Sequence, residues 1–143
     1  MAADGQVLRT PVDGISVQGR GAAGVAGMKL RPGATVVGAA AVLSEDVLIT
    51  VTDDGGVKAT LLSELDAKGR GGVGVRATRL GDGTALTLAH VGPPMGLLAI
   101  MASDDDPKKP DPNPVPLVLE PTRRDLVSTP SERQILAIGP ARW

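Results

Sequence analysis

The chain has 143 residues, with 15 basic and 16 acidic side chains and a net charge of −1. No overall field draws it to nucleic acid or to a membrane, so polyanion binding must come from local patches. The absence of cysteine excludes disulfides and thiolate metal sites and fits a reducing cytoplasm. No apolar run approaches the ~20 residues of a membrane span, and Met1-Ala2-Ala3-Asp4-Gly5 lacks the regions of a signal peptide. Trp143 is the only aromatic residue, beside 19 glycines and 12 prolines. A core without Phe or Tyr is built from Val, Leu, Ile, Ala and Met, which suits thin, closely stacked sheets. It also argues against single-stranded nucleic acid, whose bases stack on rings.

Read in chain order, the sequence repeats with a period of 50. Asp4-Gly5-x-Val7-x-x-Thr10 returns as Asp54-Gly55-x-Val57-x-x-Thr60, and Gly19-Arg20-Gly21-x-x-Gly24-Val25 returns as Gly69-Arg70-Gly71-x-x-Gly74-Val75. Leu30 and Leu80, Gly33 and Gly83, Ala39 and Ala89, and Leu48 and Leu98 keep the same offset without a gap. The first unit predicts strands over residues 25–30, 34–43 and Val47–Thr52, then a hairpin turn at Asp53-Asp54-Gly55-Gly56 and a strand over 57–61. The second unit predicts strands over 73–80, 85–91 and Leu97–Met101, with one short turn within 61–68. Four strands per ~50 residues is the pattern of a propeller blade. The chain opens in the middle of a unit, on the third strand, which predicts a fragment of a larger repeat array. Residues 102–116, with Asp104-Asp105-Asp106 and alternating prolines, predict an extended linker. Beyond it, 115–120 and 134–138 are short strand candidates of a degenerate third unit, with a loop between. The division is therefore about two blades over 1–103 (units 4–53 and 54–103), then a Pro- and Asp-rich linker with degenerate terminal strands over 104–143. The fold class is all-β, a partial β-propeller or β-pinwheel.

The unit resembles the C-terminal domain of the A subunits of bacterial DNA gyrase and topoisomerase IV. The residues that carry the likeness are Gly19-Arg20-Gly21-Ala22-Ala23-Gly24-Val25, Leu30, Val36-Val37-Gly38 and Thr52-Asp53-Asp54-Gly55-Gly56-Val57-Lys58-Ala59-Thr60, followed by Lys68-Gly69-Arg70-Gly71-Gly72-Val73-Gly74-Val75. The end around Arg123-Arg124-Asp125 is similar to actinobacterial topoisomerase IV tails. The likeness implies a pinwheel whose rim wraps duplex DNA for an ATP-dependent enzyme of the nucleoid. Its implied partners are double-stranded DNA, the ATPase B subunit of the enzyme, plus the remainder of the A subunit, with no membrane. Lys68 to Gly74 keeps the glycines and one arginine of the gyrase-defining box and lacks its Gln and Lys, which favours the topoisomerase IV type. The catalytic tyrosine of such enzymes is not in this chain, which has no Tyr.

A duplex-binding rim needs cations and glycine-turn amides at phosphate spacing. The candidates are Arg20, Lys29, Arg31, Lys58, Lys68, Arg70, Arg76 and Arg79, which leave residues 14–80 with net +2 while both flanks are acidic. The opposite charges of the two regions raise the idea that residues 102–143 cover the basic rim. Both Gly-Arg-Gly-x-x-Gly runs fit the dinucleotide fingerprint formally, but each precedes a strand rather than a helix, so they read as structural turns. His90 lies in an apolar strand and has no second ligand near it, and the aspartate run lacks the spacing of a calcium loop. No catalytic centre, metal site or cofactor is expected. The alternative function is a repeat-built protein-interaction module without DNA binding.

Overall fold

The computed structural model of the chain describes residues 1–43 and 45–141. Among them the regular structure is β1 (Gln6–Val7), β2 (Val47–Thr52), β3 (Gly56–Leu61), β4 (Val75–Arg76), β5 (Leu86–Gly92), β6 (Leu97–Met101), β7 (Val115–Leu117), β8 (Pro121–Thr122), β9 (Thr129–Pro130) and β10 (Ile135–Pro140), with two single 3₁₀ turns at Val12–Gly14 and Leu62–Glu64. The chain is all-β, and its sheets do not close into a barrel.

The turn from β2 to β3 is set by side chains. Gly55 holds a φ of +86°, which a glycine adopts without strain. Thr52 Oγ1 accepts the Gly56 amide at 2.8 Å and donates to Asp54 Oδ1. The hairpin this makes pairs Val47 with Leu61 through Val51 with Val57. On its other side β2 takes β5, with a bulge between Val51 and Thr52. β6 repeats the arrangement: β10 lies on one side, with an irregularity near Ile135, and β7 on the other.

The period of 50 is also a period of hydrogen bonds. Gly5 N donates to Ala2 O, as Gly55 N does to Thr52 O; Ala3 N to Thr35 O, as Asp53 N does to Ala85 O; Ile15 N to Val12 O, as Leu65 N does to Leu62 O. The single bridge Ala2–Val36 is the mate of the Thr52–Leu86 pair. Neighbouring units are tied by strand exchange: β1 pairs antiparallel with β4, Gln6 opposite Arg76, and β3 pairs with β9 in the same way.

β2 is buried on both faces, which is why its sequence is apolar or threonine throughout. Val47, Ile49 and Val51, with Val57 and Ala59 of β3, pack against Leu97, Ala99, Leu117 and Ile135. Leu48 faces the opposite way and packs with Val7, Leu62, Leu65, Ala77 and Ala89. Small aliphatic side chains on both faces let three layers stack without aromatic spacers.

Several expected strands are shorter. Residues 34–43 contribute the Val36 bridge alone, and 25–30 contribute no strand. Val25 and Ala26 are the repeat mates of β4, but no strand lies beside them among the described residues. The expected strand over 73–80 reduces to Val75–Arg76, because β1 offers only two residues to pair, and to a lone bridge from Arg79 to Val127. Where the sequence predicts a linker over 102–116, the chain makes turns closed by the Ala102–Pro110 bridge and then enters β7. The segment between the last strand candidates, expected as loop, carries β9.

Candidate nucleic-acid interface

Residues 11–27 are exposed throughout and run beside the second unit's glycine loop. Five bonds fasten residues 9–29 to that loop. Lys68 N donates to Arg9 O at 2.8 Å, Gly71 N to Gly27 O at 2.6 Å and Lys29 N to Gly72 O at 2.9 Å. Arg70 contributes two more, Nε to Gly14 O at 3.1 Å and Nη1 to Ala26 O at 3.4 Å. These contacts gather Lys29, Lys68 and Arg70 at one exposed ledge, and Arg20 sits on the exposed run that borders it. Arg70 therefore has a structural duty as well as a charge. Gly74, at a φ of +86°, lets the second loop lie against β1: a Cβ there would drive into the Val7 carbonyl.

A second group lies where β4 meets the end of the chain. Arg31, Arg76 and Arg124 line one polar cleft with Asp4 and Gln6. Arg31 Nη1 stands 3.9 Å from Asp4 Oδ2, both partly exposed. Arg124 Nη1 donates to Arg76 O at 3.3 Å. Arg79 is exposed at a different cleft, beside Thr52, Thr84 and Ser128, and its amide donates to Leu126 O at 3.1 Å.

Lys58 departs from the expected set. Only 4% of it is exposed, and its Nζ donates to Ala77 O at 2.7 Å and Arg124 O at 2.9 Å. Burial pushes its pKa down to about 8, against the pull of Asp125 and Glu64. A phosphate does not reach this ammonium; it fastens the C-terminal segment to β3. The acidic stretch is held by its own neighbourhood: Arg133 Nη1 pairs with Asp111 at 3.0 Å and Asp104 at 3.4 Å. Among the described residues no salt bridge joins 102–143 to a candidate cation.

Two arginines with defined roles were outside the expected set. Arg9 caps the 3₁₀ turn through Leu62 O and Leu65 O, both at 3.2 Å. Arg124 was visible in the Arg123-Arg124-Asp125 run, but nothing in the sequence brought it to Arg76. His90 is partly buried in β5, with its pKa lowered by that burial.

Repeated β units that each pair a strand with the next unit and carry basic glycine loops on the outside define a propeller-like class of β domain. The family described as DNA gyrase C-terminal domain, beta-propeller, matches residues 2–42 and 46–87, more than half of the chain, and the chain belongs to that family. Among solved structures, the crystal structure of the C-terminal domain of DNA topoisomerase IV is similar, with a TM-score of 0.81 and 17% identity. The match covers 98% of this chain and 45% of that one, so the chain spans less than half the length of that structure. Comparison with curated proteins gave no match.

Proposed function

We propose that the chain is a DNA-wrapping module of a type IIA topoisomerase A subunit, acting on double-stranded DNA in the bacterial nucleoid together with the ATPase B subunit, beside the remainder of its own subunit. The ledge built where residues 26–29 lie on the second unit's glycine loop carries the reading. Arg20, Lys29, Lys68 and Arg70 lie exposed on or beside a surface whose small residues let a phosphate backbone come close. Arg31, Arg76 and Arg79 extend the cationic surface on the same two units. Phosphate contacts of this kind position a duplex and carry no base information, so the module binds without sequence preference. The cations belong to units 4–53 and 54–103, with the strands of 104–143 as a third, irregular unit beside them.

The alternative is a protein-interaction module. The observation that favours it is an apolar groove lined by Met1, Val7, Val12, Ile15, Val42 and Leu62. Binding to a labelled duplex of ~100–150 base pairs across a salt series separates the two readings. Affinity that falls steeply and log-linearly with salt, regardless of sequence, supports wrapping. Absence of binding at low salt by the folded chain, together with self-association, supports the alternative.

A further inference from the structure

We infer that the cleft between Arg31, Arg76 and Arg124 is a discrete phosphate-binding site, assembled only when the C-terminal segment docks on the second unit. Its three guanidinium groups come from distant parts of the chain: the turn after the first glycine loop, strand β4, and the segment between β8 and β9. The cleft has a volume of about 440 Å³. Against three arginines it holds one carboxylate, Asp4, and the Arg31–Asp4 approach of 3.9 Å is a loose one. Among the described residues, Arg76 and Arg124 have no acidic partner.

A guanidinium carries five donors in a planar fork. Arg124 spends one nitrogen on the Arg76 carbonyl, and that bond places its side chain beside Arg76. Its own carbonyl is pinned by the buried Lys58 ammonium, so the backbone that presents it is fixed. Gln6 is 95% buried, at 5% exposure, and lines the same cleft. Converging arginine forks suit an anion with several oxygens around one centre. A lone carboxylate ligand would satisfy fewer of them. The local excess of two positive charges fits a phosphate monoester or a diester.

That phosphate could be free or could belong to the backbone of a bound duplex. The second source rests on the wrapping function proposed above; the first does not. A bound phosphate would bridge both full repeat units and the C-terminal segment, so it would stabilise their packing by mass action.

The test uses the full chain. Thermal unfolding is followed with inorganic phosphate against chloride at constant ionic strength, and duplex binding is followed across a salt series, for wild type, Arg124→Ala and Arg31→Gln. Arg31→Gln leaves the docking bonds of the C-terminal segment intact and guards against a simple folding defect. The expected result is a saturable rise in melting temperature with phosphate that both variants lose. Both variants should also bind duplex about tenfold more weakly at low salt, with a salt slope lower by about one. If phosphate stabilises the wild type and both variants abolish that, while no form binds duplex, the site stands as one for free phosphate and the wrapping function falls. If both variants remain folded and keep the wild-type response to phosphate and the wild-type salt slope, the site is overturned.

Discussion

The ammonium of Lys58 donates to the carbonyl oxygen of Arg124 at 2.9 Å, across 66 residues of sequence. With its second bond, to Ala77 O, it joins three parts of the chain: β3, the residue after β4, and the C-terminal segment. A residue that reads as a surface cation in a β hairpin is thus a buried tie.

That tie has a pH signature. The native Lys58 releases its proton near 8, well below its ordinary 10.5, chiefly because burial disfavours the charge. Between those values the unfolded chain holds a proton that the native chain has lost, so this group makes stability rise with pH. The full rise is about 3 kcal/mol at the top of the window. Denaturant unfolding of wild type and Lys58→Met at pH 7.5 and pH 10 isolates it. The wild type should gain relative to the variant as pH climbs; a difference that stays constant would remove the claim.

Gly24 and Gly74 occupy the same place in the repeat and have nearly the same φ, +83° and +86°. Around Gly24 nothing lies within 4 Å of an added Cβ, whereas at Gly74 the Cβ would meet Val7 C at 2.6 Å and Leu8 N at 2.9 Å. Gly24→Ala should therefore show only the backbone strain of a left-handed alanine, about 1 kcal/mol. Gly74→Ala adds a clash with backbone that cannot rotate away, and should cost roughly 3 kcal/mol or more. Equal losses in the two variants would mean that β1 does not lean on the second loop.

The repeat period, the β2–β3 hairpin, β5 and β6 were legible in the sequence because they depend on local turn chemistry and apolar runs. The ledge cations were legible as residues, though not as a cluster. What was illegible depends on partners distant in sequence. Residues 34–43 look like a strand, yet the slot that β2 fills beside β5 holds only Met1 and Ala2 beside them, through bonds from Met1 N to Gly38 O and from Val37 N to Met1 O. Lys58 alternates with Val57 and Ala59, which in a sheet with one wet face would place it in water. Here both faces are covered, and the alternation misleads. The prolines after Met101 read as linker, but proline is tolerated on the edge strand that β7 provides.

The C-terminal segment is part of the core rather than a cover for the rim. β7 and β10 are the two neighbours of β6, and Leu117 and Ile135 fill the layer between β6 and the β2–β3 hairpin. Removing residues 103–143 should cost at least about 3 kcal/mol from those two side chains alone, expose Leu97 and Ala99, and lower the unfolding temperature with a rise in hydrophobic-dye binding. Duplex affinity should fall, because Arg124 is lost with the segment. A truncated chain that remained as stable and bound duplex more tightly would instead make the segment an autoinhibitor.

The ledge and the buried lysine differ in a way that duplex binding reports. Each phosphate neutralised by an exposed cation releases counterions and adds roughly 0.9 to the slope of log affinity against log salt. Arg20→Ala should lower the slope by about one, equally for duplexes of different sequence. Arg70→Ala should do the same and also loosen the two loops, because its bonds to Gly14 O and Ala26 O are lost. Arg70→Lys keeps the charge and hence most of the slope, while losing the forked geometry that spans both carbonyls. Lys58→Met removes a charge that phosphate cannot reach, so the slope should move by well under one, and only through the loosened Arg124. A slope that fell as far for Lys58→Met as for Arg20→Ala, with both chains folded, would show that net charge rather than the ledge governs binding.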